Sequence, residues 1–184
     1  MVWDNSKLTE ILKEDGVVTM PTDTLYGITG RAQNISVVER IYELRKRALQ
    51  KPCIILIGNI DELKIFSINL SEEHKKILEN YWPGPVSIIL DCEDEKFSYL
   101  HRGTKTLAFR LPSPQPLRDL LLKVGPLIAP SANPEGLSPA QNITEAKEYF
   151  GNLVDLYIDG GELAGKASKL VRLHKDGSIA IIRQ

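Results

Sequence analysis

Apolar residues along this chain fall into two patterns. Some recur every three or four positions, the period of a helix, and others form short runs bounded by Pro, Gly, Asp or Asn, as buried strands do. Leu8, Ile11 and Leu12 make a stripe in NSKLTEILKEDG that predicts a first helix, capped by Asn5 or Ser6 and ended by Gly16. VVTM predicts a buried strand, and PTDTLYG is a polar turn leading to another short apolar piece. SVVERIYELRKR predicts the next helix, with Ser36 and Glu39 as a capping box and Val37, Val38, Ile41 and Leu44 on one face. Pro52 forbids helical continuation and pushes Lys51 to an extended conformation, so CIILIG starts a new, β-branched strand. Helices are then predicted over NIDELKIF and SEEHKKILENYW, the second capped by Ser71. PGP breaks the second helix, VSIIL is a strand, DCEDEKFS an acidic loop and TLAFRL a strand. PLRDLLLKVG is a short helix closed by Gly125, PLIAP a buried strand, ITEAKEYFG a helix and LVDLYIDGG a strand. SKLVRLHKDGSIAIIR reads as a hairpin turning at Asp176-Gly177. Alternating strands and helices imply an α/β protein whose mixed, mostly buried sheet is covered by helices. No repeat or linker divides residues 1–184, so a single domain is expected.

Composition narrows the choice of partner. The chain has 184 residues, 42% of them hydrophobic, and a formal net charge of −1. Such a balance gives no global attraction for nucleic acid or a membrane, so any affinity for a polyanion must come from local clustering. Cys53 and Cys92 are far apart and belong to no C-x-x-C, which predicts free thiols rather than a zinc site or disulfide framework. The N-terminus lacks the basic and continuous apolar regions of a signal peptide, and no apolar run is long enough to span a bilayer. A soluble, cytoplasmic protein without membrane contact is expected.

Three loops at strand ends could carry chemistry, because ligands of α/β sheets bind there. PTDTLYG offers Thr22, Thr24 and Tyr26; APSANPEGLSP offers Ser131, Asn133 and Ser138; LRKRALQKP offers Arg45, Lys46, Arg47 and Lys51. Turn residues also have backbone reasons of their own. Arg45, Lys46 and Arg47 fall in the predicted last helical turn, where cations complement the helix dipole, whereas Lys51 lies beyond it. His74, His101 and His174 show no metal-ligand spacing, and the motifs of a hydrolase elbow, a Walker loop and a dinucleotide fold are missing. These residues suit a small anion such as a nucleotide, but they do not define a reaction.

Taken together, PTDTLYG, LRKRALQKP, TLAFRLP, APSANPEGLSP and the terminal IIR resemble the YrdC family of L-threonylcarbamoyladenylate synthases, in the family's order and spacing from about residue 17 onward. The resemblance implies a twisted α/β sheet around a deep, positively charged cavity. It implies condensation of L-threonine, bicarbonate or CO2, and ATP to threonylcarbamoyl-AMP and diphosphate. Downstream threonylcarbamoyl-transfer proteins would place the group on adenosine in tRNA. Magnesium would be held mainly by the phosphates. An alternative within the same fold is a non-catalytic module that binds double-stranded RNA or tRNA, and a third is a carbamoyl-transfer domain like that of hydrogenase-maturation proteins.

By the same resemblance, Arg47 and Lys51 are the catalytic cations. Arg45, Arg47, Lys51, Thr106, Ser131, Asn133, Ser138 and Arg183 match ATP-binding positions, and Thr24, Arg110, Ala129 and Ser168 match threonine-binding ones. No metal ligand is expected among the side chains. Alternation along TLAFRLP puts Thr106, Ala108 and Arg110 on one strand face. The sequence departs from the family pattern in several places. Arg45 stands where a Lys is usual, and Leu56 where some members carry His. Ala167 to Arg172 reads ASKLVR in place of P-S-T-[IV]-V-D, and GLSP is about one residue shorter than the common loop.

Overall fold

The computed structural model describes residues 2–48 and 50–184. In chain order the elements are α1 (Ser6–Lys13), β1 (Val18–Pro21), β2 (Tyr26–Arg31), α2 (Ile35–Leu44), β3 (Ile54–Leu56), a 3₁₀ helix over Ile60–Phe66, and α3 (Glu72–Leu78). They continue with β4 (Val86–Asp91), α4 (Ser98–His101), β5 (Thr106–Arg110), α5 (Gln115–Val124), β6 (Leu127–Ile128), α6 (Ile143–Phe150), β7 (Leu156–Tyr157), β8 (Lys169–Leu173) and β9 (Ile179–Arg183). The strands form one mixed sheet in the order β7-β1-β2-β6-β3-β5-β4-β8-β9. Parallel pairs join β1 to β7, β3 to β5 and β4 to β8, and the other neighbours are antiparallel.

Side chains alternate across each strand, and this builds two cores. Ile55, Ile128 and Phe109 belong to one cluster, which includes Ile41 of α2 and Phe66. Their neighbours Leu56 and Leu127 belong to the other, under Leu8 and Leu12 of α1 and Leu117, Leu120 and Leu121 of α5. Each such side chain, fully buried, stabilises the fold by about 1.5–3 kcal/mol. Both faces of the sheet are therefore covered, as the near-continuous apolar runs require.

Several local expectations change. Asn5 caps α1, accepting from the Leu8 N–H at 3.1 Å. Helix α2 is capped by Asn34, which accepts from the Val37 N–H at 3.2 Å, so Ser36 and Glu39 form no capping box. Asn34 wins because it is the residue that holds the extended backbone a cap needs. The helix then stops at Leu44, ahead of the cations. Lys46 adopts the left-handed region at φ 51°, the Arg47 N–H donates to Tyr42 O at 3.0 Å, and the Lys46 N–H donates to Glu43 O at 3.0 Å. This is a Schellman turn with Lys where Gly is usual. The three cations lie at and beyond the cap rather than in the last turn, and Pro52 is not what ends the helix. NIDELKIF coils as a 3₁₀ helix, and the acidic loop holds a 3₁₀ turn over Glu95–Phe97 followed by α4. No described helix is long and apolar enough to cross a membrane.

Candidate functional site

A cavity of about 390 Å3 lies against the sheet, on the side opposite Leu107 and Phe109. Period-two alternation along β5 brings Thr106, Ala108 and Arg110 to its wall. Four arginines, Arg45, Arg47, Arg110 and Arg183, line it, and among the described residues no acidic one does. They divide the cavity into two ends.

At one end Arg110 is 3% exposed and surrounded by polar atoms. Its guanidinium meets Asp23 Oδ1 at 3.0 Å, donates to Thr24 Oγ1 at 3.2 Å and reaches Ser87 Oγ at 3.4 Å. Ser87 Oγ in turn pairs with Ser168 Oγ at 2.8 Å. Burial pushes the Arg110 pKa down, while the adjacent Asp23 carboxylate pushes it up. An arginine stays charged under these opposed pressures, so the end offers a fixed cation with a counter-ion behind it. Ala129 sits on the same wall, its N–H spent on Ile54 O at 2.8 Å. A strap from Gly160 to Ala167 crosses the Thr24 turn. Tyr26 Oη donates to Gly161 O and accepts from the Gly160 N–H, both at 2.8 Å. A side chain at Gly165 would put its Cβ 1.8 Å from Thr24 O, so only glycine allows this approach, which delivers Ala167 and Ser168 to the wall.

At the other end Arg47 is tied to the loop that follows it, donating from Nε to Lys51 O at 2.9 Å and from Nη2 to Pro52 O at 3.0 Å. Arg45 is 3% exposed and turns inward. It donates to Asn133 O at 3.0 Å, Asn133 Oδ1 at 3.2 Å and Ser131 Oγ at 3.3 Å, and its buried Nη1 has no partner. Burial lowers the Arg45 pKa, and the nearby Arg47 lowers it further. Ser131 Oγ donates to Asn133 Oδ1 at 2.7 Å. Arg183 donates to Ser168 O at 2.7 Å, on the Arg110 side of the cavity. Burial also pushes the Cys53 thiol up, so Cys53 lines the cavity as a neutral thiol.

Of the sequence-predicted residues, the cavity wall brings together Thr24, Arg45, Arg47, Thr106, Arg110, Ala129, Ser131, Ser168 and Arg183. It does not include Lys51, Asn133 or Ser138. Lys51 pairs with Glu135 at the rim, Asn133 organises the loop behind Ser131, and Ser138 is exposed, its carbonyl accepting from Tyr149 Oη. Sequence reading missed Asp23, Ser87 and Glu135. Asp23 sat in plain view between Thr22 and Thr24, and Ser87 was the one polar residue in VSIIL. Among the described residues no cluster of three or more His, Cys, Asp or Glu could hold a metal. The oxygen donors on the wall are hydroxyls such as those of Thr104, Thr106 and Ser131.

The family model Sua5_yciO_yrdC, described as "Telomere recombination", matches residues 10–184. A threonylcarbamoyl-AMP synthase of Bacillus subtilis is 34% identical over 155 residues, covering 82% of this chain and 44% of that protein. The crystal structure of Pyrococcus abyssi Sua5 complexed with L-threonine superposes with a TM-score of 0.81 at 28% identity, over 94% of this chain and 52% of that one. The structure of Escherichia coli YciO superposes with a TM-score of 0.83 at 25% identity, over 97% of this chain and 87% of that one. The chain thus spans about half the length of the Bacillus and Pyrococcus proteins.

Proposed function

The chain belongs to the Sua5–YciO–YrdC family, and from that premise we propose that it condenses L-threonine, bicarbonate or CO2, and ATP into threonylcarbamoyl-AMP, with release of diphosphate. The observation that carries this reading is one cavity with two cationic ends, Arg110 with Thr24 and Ser168 at one and Arg47 with Ser131 and Thr106 at the other. Such a wall suits two anions held side by side.

In this reading Arg110 attracts the threonine carboxylate with a charge-assisted hydrogen bond from Nη1, since its Nε and Nη2 are spent on Asp23 and Thr24. Ala129 leaves room beside it, and Thr24 and Ser168 supply hydroxyls for the rest of the amino acid. The neutral amine adds to CO2 and loses a proton, giving a carbamate. A carbamate oxygen then attacks the α-phosphorus of ATP, the bond from that phosphorus to the bridging oxygen breaks, and diphosphate leaves with the electron pair. The nucleophile is already an oxyanion, so no strong general base is required. The chain's task is to hold the anions together and stabilise charge on phosphate, which Arg47 and Arg183 do. One preorganised contact of this kind contributes about 3 kcal/mol. Ser131, Thr106 and the loop ordered by Arg45 and Asn133 orient the nucleotide. Magnesium would be held by the triphosphate rather than by side chains of this chain, and would supply charge neutralisation. The product passes to partner proteins that modify adenosine in tRNA.

A non-catalytic RNA-binding module has less support. Arg45 and Arg110 are both 3% exposed around the cavity, so neither can meet a polyanion at the surface. Diphosphate release from ATP in the presence of bicarbonate tests the synthase reading. Release should depend on L-threonine; release that ignores threonine, or none at all, contradicts it.

A further inference from the structure

Glu135 lies in the loop after Ser131 and reaches across to the cationic loop. One carboxylate oxygen accepts from the Ala48 N–H at 2.6 Å and the other from Lys51 Nζ. Its own N–H donates to Arg45 O at 2.6 Å. A backbone N–H beside an ammonium is a donor set that holds a phosphate oxygen. The Lys51 hydrogen bond first, then the Ala48 N–H and the charges of Lys51 and Arg47, hold the Glu135 carboxyl below its ordinary value. The pair is at the rim: the Lys51 side chain is 61% exposed, and neither residue belongs to the cavity wall, although Arg47 does.

We propose that the Glu135 carboxylate occupies the seat of the terminal phosphates of a nucleoside triphosphate, and so sets which phosphate ligands this site retains. The inference rests on the synthase reading and adds a residue to it. A triphosphate leaving the cavity past Arg47 displaces Glu135 from Ala48 and Lys51. A nucleoside monophosphate, whose phosphate stays within the cavity, leaves Glu135 in place. After diphosphate departs, the carboxylate returns and closes the seat against its rebinding. No bond is made or broken; one anion replaces another.

Isothermal calorimetry of the whole chain with ATP, inorganic triphosphate and AMP tests this on wild type, Glu135→Gln and Glu135→Ala. Removing the internal competitor should tighten ATP and triphosphate about five- to tenfold, the gain expected from freeing one exposed ion pair and one backbone donor. AMP should change by less than about twofold. A Glu135 that merely props the loop predicts the opposite sign. Weaker or unchanged triphosphate binding in both variants overturns the proposal, and so does an equal gain for AMP. Wild-type protein that binds neither ATP nor triphosphate instead overturns the synthase reading, and the proposal falls with it.

Discussion

Arg110 is held in the cavity by an unusual cost balance. A buried guanidinium needs a counter-charge, and Asp23, with a side chain 4% exposed, supplies it from a neighbouring turn. Removing the guanidinium leaves Asp23 buried and unpaired, so Arg110→Ala should lose about 3–5 kcal/mol of stability. The gentler Arg110→Lys keeps the charge but not the planar fork. It should raise KM for threonine at least about tenfold while KM for ATP moves less than about threefold, read from diphosphate release. Equal effects on both substrates would place Arg110 outside the amino-acid end. At this scale the sequence was half informative. Period-two alternation alone brings Thr106, Ala108 and Arg110 to one face, and the structure keeps them there. The pairing of Arg110 with Asp23 and Ser87 was not legible, because it joins β5, β4 and a turn that are distant in the chain. For the same reason the inward turn of Arg45 onto Ser131 and Asn133 was not legible.

Elements were legible where their ends carry chemistry of their own. Asn5, Ser71 and the Asp176-Gly177 turn act as their residue types suggest, with Gly177 at φ 82°. Helix α2 shows why others were not. Its apolar stripe ends near Leu44, but the left-handed residue that closes it is Lys46, and a lysine sends no such signal. The reading therefore carried the helix through the cations and gave Pro52 the role of stopping it. Lys46 costs about 1 kcal/mol in that conformation. Lys46→Gly should return that energy and raise Tm by about 2–4 °C in a thermal melt. A fall in Tm would mean that the lysine side chain contributes more than its backbone costs. The early turn also matters for the site, since it points Arg45 inward and leaves Arg47 free to reach the wall.

At the level of the whole molecule, the sequence indicated an α/β class and a mixed sheet, and the structure has both. The strand order was out of reach, because β6 sits between β2 and β3 and β8 beside β4 through contacts that no local pattern encodes. One such long-range tie gives a measurable consequence. Asp155, just before β7, accepts from the Val17 N–H at 2.7 Å and from Arg40 of α2 at 2.6 Å. Chiefly through the Arg40 hydrogen bond, its carboxyl is held below the usual carboxylate range. A depressed folded pKa adds stability above the unfolded pKa, and that stability is lost as pH falls through the folded one. Urea unfolding should therefore show a loss as pH falls below about 4 that Arg40→Ala reduces. An unchanged acid limb in the variant would remove Asp155 from that transition.

The proposed synthase seats an amino acid and a nucleotide together in one cavity. A crystal structure of the chain with L-threonine and a non-hydrolysable ATP analogue tests it most directly. The account predicts the threonine carboxylate about 3 Å from the Arg110 guanidinium, with the triphosphate running past Ser131 and Arg47 toward the rim. Threonine bound away from Arg110, or a nucleotide bound outside this cavity, would contradict it.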